Sequence, residues 1–128
     1  MQARIDEEQI RTLVMTFYGR VRADTVLGPI FEERLAGRWD PHLEKMCDFW
    51  SSILLATGRY RGNPIAVHAQ IPEMTSSTLD LWMTLFRTTC TETLPEPIAT
   101  DVAARGARMR VVLERNGPVA ATLEPRSS

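Results

Sequence analysis

Apolar residues recur at helical spacing from Asp6 to Arg22, where Ile10, Leu13, Val14, Phe17 and Val21 form one stripe. Asp6 followed by Gln9 has the form of a capping box, and Glu7 and Glu8 suit the positive end of the helix dipole. Tyr18 lies at the edge of the stripe. The pattern breaks over Val26–Phe31, where Gly28-Pro29 predicts a turn and Ile30-Phe31 anchor the connection on the core. Asp40 as cap and Pro41 as first residue predict the next helix, with His42, Met46, Phe49, Trp50 and Ile53 on one face and Gly58 after its end. Arg59–Pro64 reads as a loop, and Ile65–Gln70 as a turn or two of helix carrying His68. Ser76 or Ser77 is expected to cap a third long helix reaching about Leu94, with Leu79, Trp82, Leu85, Phe86 and Cys90 on its apolar side. Pro95-Glu96-Pro97 stops it. A last helix from about Pro97 to Arg115 carries Ile98, Val102, Met109, Val112 and Leu113, and Asn116-Gly117-Pro118 ends it. No period survives beyond Val119, and no segment alternates with period two. The expected architecture is all-α, with four main helices and one short histidine-bearing turn. Residues 1–118 form the domain and 119–128 a loose tail.

Composition narrows the function. A chain of 128 residues with 44% hydrophobic and 24% charged residues is long enough for one domain with a real core. A formal net charge of −1 disfavours a nucleic-acid binder. No apolar run is long enough to span a bilayer, so no membrane insertion is expected. Met1–Glu8 has no apolar stretch of the signal-peptide kind, which leads to the expectation of a cytoplasmic protein with Cys47 and Cys90 reduced. The two cysteines form no CxxC pair and no cluster with histidine, so a structural zinc site is not expected. Histidine chemistry has only His42 and His68 to use.

A helical bundle with purely structural histidines would satisfy everything so far. What argues against it is a set of features in fixed order: Phe17-Tyr18, Leu27-Gly28-Pro29-Ile30-Phe31, Trp39-x-x-His42, Met46-x-x-Phe49-Trp50, Tyr60-x-Gly62-x-Pro64-x-x-x-His68 and Leu81-Trp82-x-x-Leu85-Phe86. Taken together, this order resembles the truncated haemoglobins, most of all their third group, from about Ile10 to Leu113. The resemblance implies a globin-like two-over-two helical sandwich around one haem b. It implies His68 as the proximal iron ligand, Tyr18 as a distal tyrosine and Phe31 as a phenylalanine packed on the haem. It further implies His42 as the distal-helix histidine, Met46 as the apolar residue one turn on, and Trp82 as the distal tryptophan.

The residue chemistry is compatible with that assignment. Haem iron takes a neutral imidazole nitrogen, and His68 stands on a short segment between Pro64 and Pro72. Tyr18 O–H and Trp82 Nε1–H are donors at apolar-stripe positions; core packing with an incidental hydrogen bond is the other reading. For His42 three roles stay open: gate or weak donor, solvated first-turn residue, and direct iron ligand. Met46 reads equally as core and as an apolar lid. Trp39, Phe49, Trp50 and Phe86 go to the core or pocket wall, with Phe86 also counted among the haem-contacting residues. Tyr60, with Arg59 and Arg61, is a candidate for the haem propionates, or else part of a solvated loop.

The expected function is binding of O₂, NO, CO or peroxide at a haem iron. A donor-rich pocket suits NO dioxygenation or peroxide handling better than oxygen transport. The chain has no Gly-x-Gly-x-x-Gly fingerprint, so an enzymatic cycle would need a separate reductase. The rivals are a haem-based sensor acting through a partner protein and a haem-free helical interaction module.

Overall fold

Asp6 starts the first helix by the reciprocal pairing its sequence suggests: its carboxylate accepts from Gln9 N at 2.8 Å, and Gln9 Oε1 accepts from Asp6 N at 3.1 Å. The structure, a computed structural model, describes residues 4–60 and 73–116. In these, helix α1 spans Glu7–Ala23, α2 Leu27–Leu35, α3 Trp39–Leu55, α4 Ser76–Thr93 and α5 Ile98–Asn116. The expected short helix over Ile65–Gln70 and the tail after Asn116 lie outside the described residues.

The stripe of α1 is buried as its period requires, with Ile10, Leu13 and Val21 fully enclosed. α5 packs along α4 and α3 along α1, while α1 also packs against α4 and α2. Two helices thus lie over two others, with the core between the layers. Arg20 ties the layers from the end of α1, donating to Thr89 Oγ1 at 3.1 Å and pairing with Glu92. Among the described residues no helix is long and apolar enough to cross a membrane.

The turn expected at Gly28-Pro29 is a helix. Both residues stand in the first turn of α2, where a proline loses no hydrogen bond the helix would have made. The freed amides find Asp24, whose Oδ1 accepts from Val26 N at 2.8 Å and Leu27 N at 2.9 Å. Gly28 is required here for a second reason: a Cβ on it would lie 2.6 Å from the Arg22 carbonyl oxygen. Backbone on both sides leaves little room to yield. Gly28→Ala is therefore expected to destabilise the fold by about 1–3 kcal/mol, read from chemical denaturation.

Two helix starts also differ from expectation. α3 begins at Trp39, not after Asp40; Pro41 sits at its third position, again without losing a helix bond, and Arg38 in the cap position makes no side-chain cap bond. α4 is capped by Thr75, not Ser76 or Ser77. Among consecutive hydroxyl residues Thr75 wins because its partner three positions on, Thr78, completes a capping box, with Thr75 N donating to Thr78 Oγ1 at 2.7 Å. At its other end α3 stops at Ala56 in the left-handed region. Arginines from other elements cover its last carbonyls: Arg4 donates to Leu55 O at 3.4 Å and Arg105 to Ile53 O at 3.3 Å, both favourable with the helix dipole.

Candidate functional site

Phe17 brings the candidate distal residues together. Its ring meets Tyr18 edge-on at 5.0 Å, Trp82 at 5.4 Å and Phe86 at 5.2 Å. These T-shaped contacts fix the angles of three rings from two helices. Tyr18 and Trp82 are both buried, at 7% and 6% exposure. Neither the Tyr18 hydroxyl nor the Trp82 indole N–H is hydrogen-bonded to a described residue. The rings are buried but neither donor atom is itself fully enclosed, so both tips stay open to water or to an incoming group that accepts. Burial, with a smaller contribution from Tyr60, pushes the Tyr18 phenol well above its ordinary range, so it stays protonated and able to donate.

His42 comes from α3. Its ring stands edge-on to Tyr18 at 5.4 Å and to Trp39 at 6.2 Å. Its amide donates to Arg38 O at 3.2 Å, the first bond of the α3 ladder, so the residue belongs to the formed helix at the close of its first turn. Met46 is half-buried one turn on and packs against the core cluster. Phe31 is buried on α2 at 5% exposure.

Behind Trp82 lies an aromatic stack. Phe86 is parallel to Trp82 at 5.4 Å and 3°, and to Trp50 at 5.1 Å and 18°. α5 closes the stack with Gly106, where a Cβ would lie 2.5 Å from Phe86 Cε2. Phe86 is thus enclosed by protein, and its clearest service to the site is to hold the plane of Trp82. Gly106→Ala should cost about 1–3 kcal/mol of stability by overpacking. It should also shift the near-UV circular dichroism of the tryptophans, because Phe86 is stacked on both Trp50 and Trp82. A fully stable variant with an unchanged near-UV spectrum would contradict that coupling.

Tyr60 packs edge-on against Phe49 at 5.1 Å, and its amide donates to Ser52 Oγ at 3.0 Å. Arg59 is engaged by the protein itself. Its Nη2 donates to both Glu7 oxygens at 2.7 and 2.8 Å and to Ser51 Oγ at 2.9 Å, and its Nε to Asp48 at 3.3 Å. It pins the start of α1 and the segment after α3 together. Arg61 and His68 lie outside the described residues.

No family model matches the chain. The group 3 truncated haemoglobin ctb of Campylobacter jejuni is 35% identical over 85 residues, which cover 64% of this chain and 67% of that protein. This chain belongs to the group 3 truncated haemoglobins. The crystal structure of the group III truncated haemoglobin from Campylobacter jejuni agrees with that assignment. It superposes with a TM-score of 0.83 at 27% identity, over 89% of this chain and 92% of the other. The all-α globin-like fold follows, and the family implies a haem cofactor. The buried donors Tyr18 and Trp82, which face no described protein acceptor, fit such a group.

Sequence reasoning had no role for Arg22 or Glu32. Glu32 accepts from Trp39 Nε1 at 2.8 Å, and the Arg22 guanidinium lies 4.3 Å over the same ring. Both are exposed residues on helices, with nothing in their local pattern to set them apart. Gly106 did carry a signal, because a glycine inside a helix costs about 1 kcal/mol relative to alanine and so marks a close approach.

Proposed function

We propose that this truncated haemoglobin binds haem b through His68 and takes O₂ or another diatomic ligand on the opposite face. Tyr18 and Trp82 then donate to the ligand, and His42 governs its passage. The carrying observation is the convergence of two buried donors, Tyr18 and Trp82, on one phenylalanine. When bound, haem supplies an iron that takes the ligand and exchanges electrons. The chain's own residues do the rest. Tyr18 and Trp82 hold negative charge on the ligand, Met46 and Phe31 exclude water, and the aromatic stack behind Trp82 keeps its N–H aimed. Tyr60 is the rim residue proposed for a propionate; Arg59, already paired with Glu7 and Asp48, is not.

Firm retention of O₂ suits NO dioxygenation or peroxide handling better than oxygen delivery, with electrons supplied by a separate reductase. Residues 1–118 make up the globin domain in this reading. His42 stands where a swinging ring would open a way past Tyr18. His42→Leu is accordingly expected to change ligand association more than dissociation, measured by flash photolysis with CO as ligand and by O₂ displacement. Unchanged association with much faster O₂ release would make His42 a donor instead.

A further inference from the structure

α3 starts without a capping side chain, and its first residue is held from two other helices instead. Glu32 of α2 accepts the Trp39 indole N–H at 2.8 Å. Arg22, in the last turn of α1, places its guanidinium 4.3 Å over the indole ring. A cation over the face and a carboxylate at the N–H edge are the partners the charge distribution of an indole favours. Neither Arg22 nor Glu32 forms an ion pair among the described residues. The indole itself is buried at 6% exposure.

The clamped ring is one neighbour of His42. The imidazole stands edge-on to Trp39, at 6.2 Å and 84°. It also stands edge-on to Tyr18, at 5.4 Å and 88°. Trp39 and Tyr18 thus both bear on the imidazole, so a shift of the indole changes where His42 can stand. The position of Trp39 is set by Glu32 on α2 and by Arg22, one turn beyond Tyr18 on α1.

We propose that Arg22 and Glu32 are positioning residues which, through Trp39, hold His42 beside Tyr18 and so set how fast ligand enters. This rests on the reading of His42 as the gate. Glu32 fixes the edge of the indole and Arg22 its face. Loosening either lets the ring retreat, and the imidazole follows.

The test is flash photolysis of the haem-loaded protein with CO, together with hydrogen exchange of the Trp39 indole N–H by NMR. Glu32→Ala should raise the association rate about three- to ten-fold, the scale of one ordinary hydrogen bond lost at an exposed carboxylate. Indole exchange should quicken with it. Glu32→Gln, which keeps an acceptor at the same place, should restore both. Arg22→Met should move association in the same direction by less. In a His42→Leu background Glu32→Ala should leave association unchanged while indole exchange still quickens. A wild-type association rate in Glu32→Ala, or an equal rise in the His42→Leu background, would overturn the clamp. Absence of haem from the wild-type protein would instead overturn the ligand-binding reading, and indole exchange would still report on the clamp.

Discussion

Tyr18→Phe should speed O₂ release about ten-fold, because a hydrogen bond to a ligand bearing partial charge contributes about 1.4 kcal/mol, one decade in rate. The substitution removes the donor and keeps the ring against Phe17, 5.0 Å away. Trp82→Phe should act in the same direction. The double variant should fall short of the product of the two, since both donors flank the same ring and reach for one small ligand. Stability separates this role from core packing. Tyr18 has no acceptor among the described residues, so loss of its hydroxyl strands no partner among them. Tyr18→Phe should then change unfolding stability by less than about 0.5 kcal/mol. Normal O₂ release with a clear loss of stability would mark the phenol as part of the core.

The pH behaviour of Tyr18 follows from its burial. Its folded pKa is raised, so the folded state holds this proton after the unfolded phenol, with its pKa of about 10, has lost it. The unfolded state then binds fewer protons, and stability falls as pH rises above about 10. Below that pH the donor stays intact, and O₂ release should be insensitive to Tyr18 ionisation.

How much of this was legible in the sequence depended on how local each signal was. α1 could be read to within a residue because its cap, Asp6 with Gln9, and its stripe lie within the helix they define. α2 could not be read, because Gly28-Pro29 serves a turn and a helical first turn equally well. The acceptor that decides between them, Asp24, stands in the preceding connection. The start of α3 slipped because proline is tolerated at any of the first positions of a helix. At the site, Tyr18, His42, Trp82 and Phe31 were marked by the order of motifs along the chain. The meeting of Tyr18 and Trp82 on Phe17 needed the packing of α1 on α4. The contact of Glu32 with Trp39 exists only once α2 is a helix, so reading Gly28-Pro29 as a turn hid it.

His68→Ala should abolish stable haem binding. Of the two histidines, His42 stands beside Tyr18, with ring centroids 5.4 Å apart. In the proposed reading His42 lies on the ligand side and His68 is the residue that ligates the iron. Loss of the cofactor should also lower the melting temperature, because a group bound only by the native state stabilises it by mass action. Imidazole added to the medium should fill the vacated ligand position and recover part of both haem binding and stability. A variant with a cavity that merely disturbed the fold would gain nothing from it.

The most direct measurement is the visible absorbance spectrum of the purified chain titrated with haem, beside His68→Ala with and without imidazole. The wild type should show a Soret band at one haem per chain, His68→Ala should lose that stoichiometric binding, and imidazole should restore it. A wild-type chain that takes up no haem, or a His68→Ala variant with the wild-type spectrum and stoichiometry, would contradict haem binding through His68.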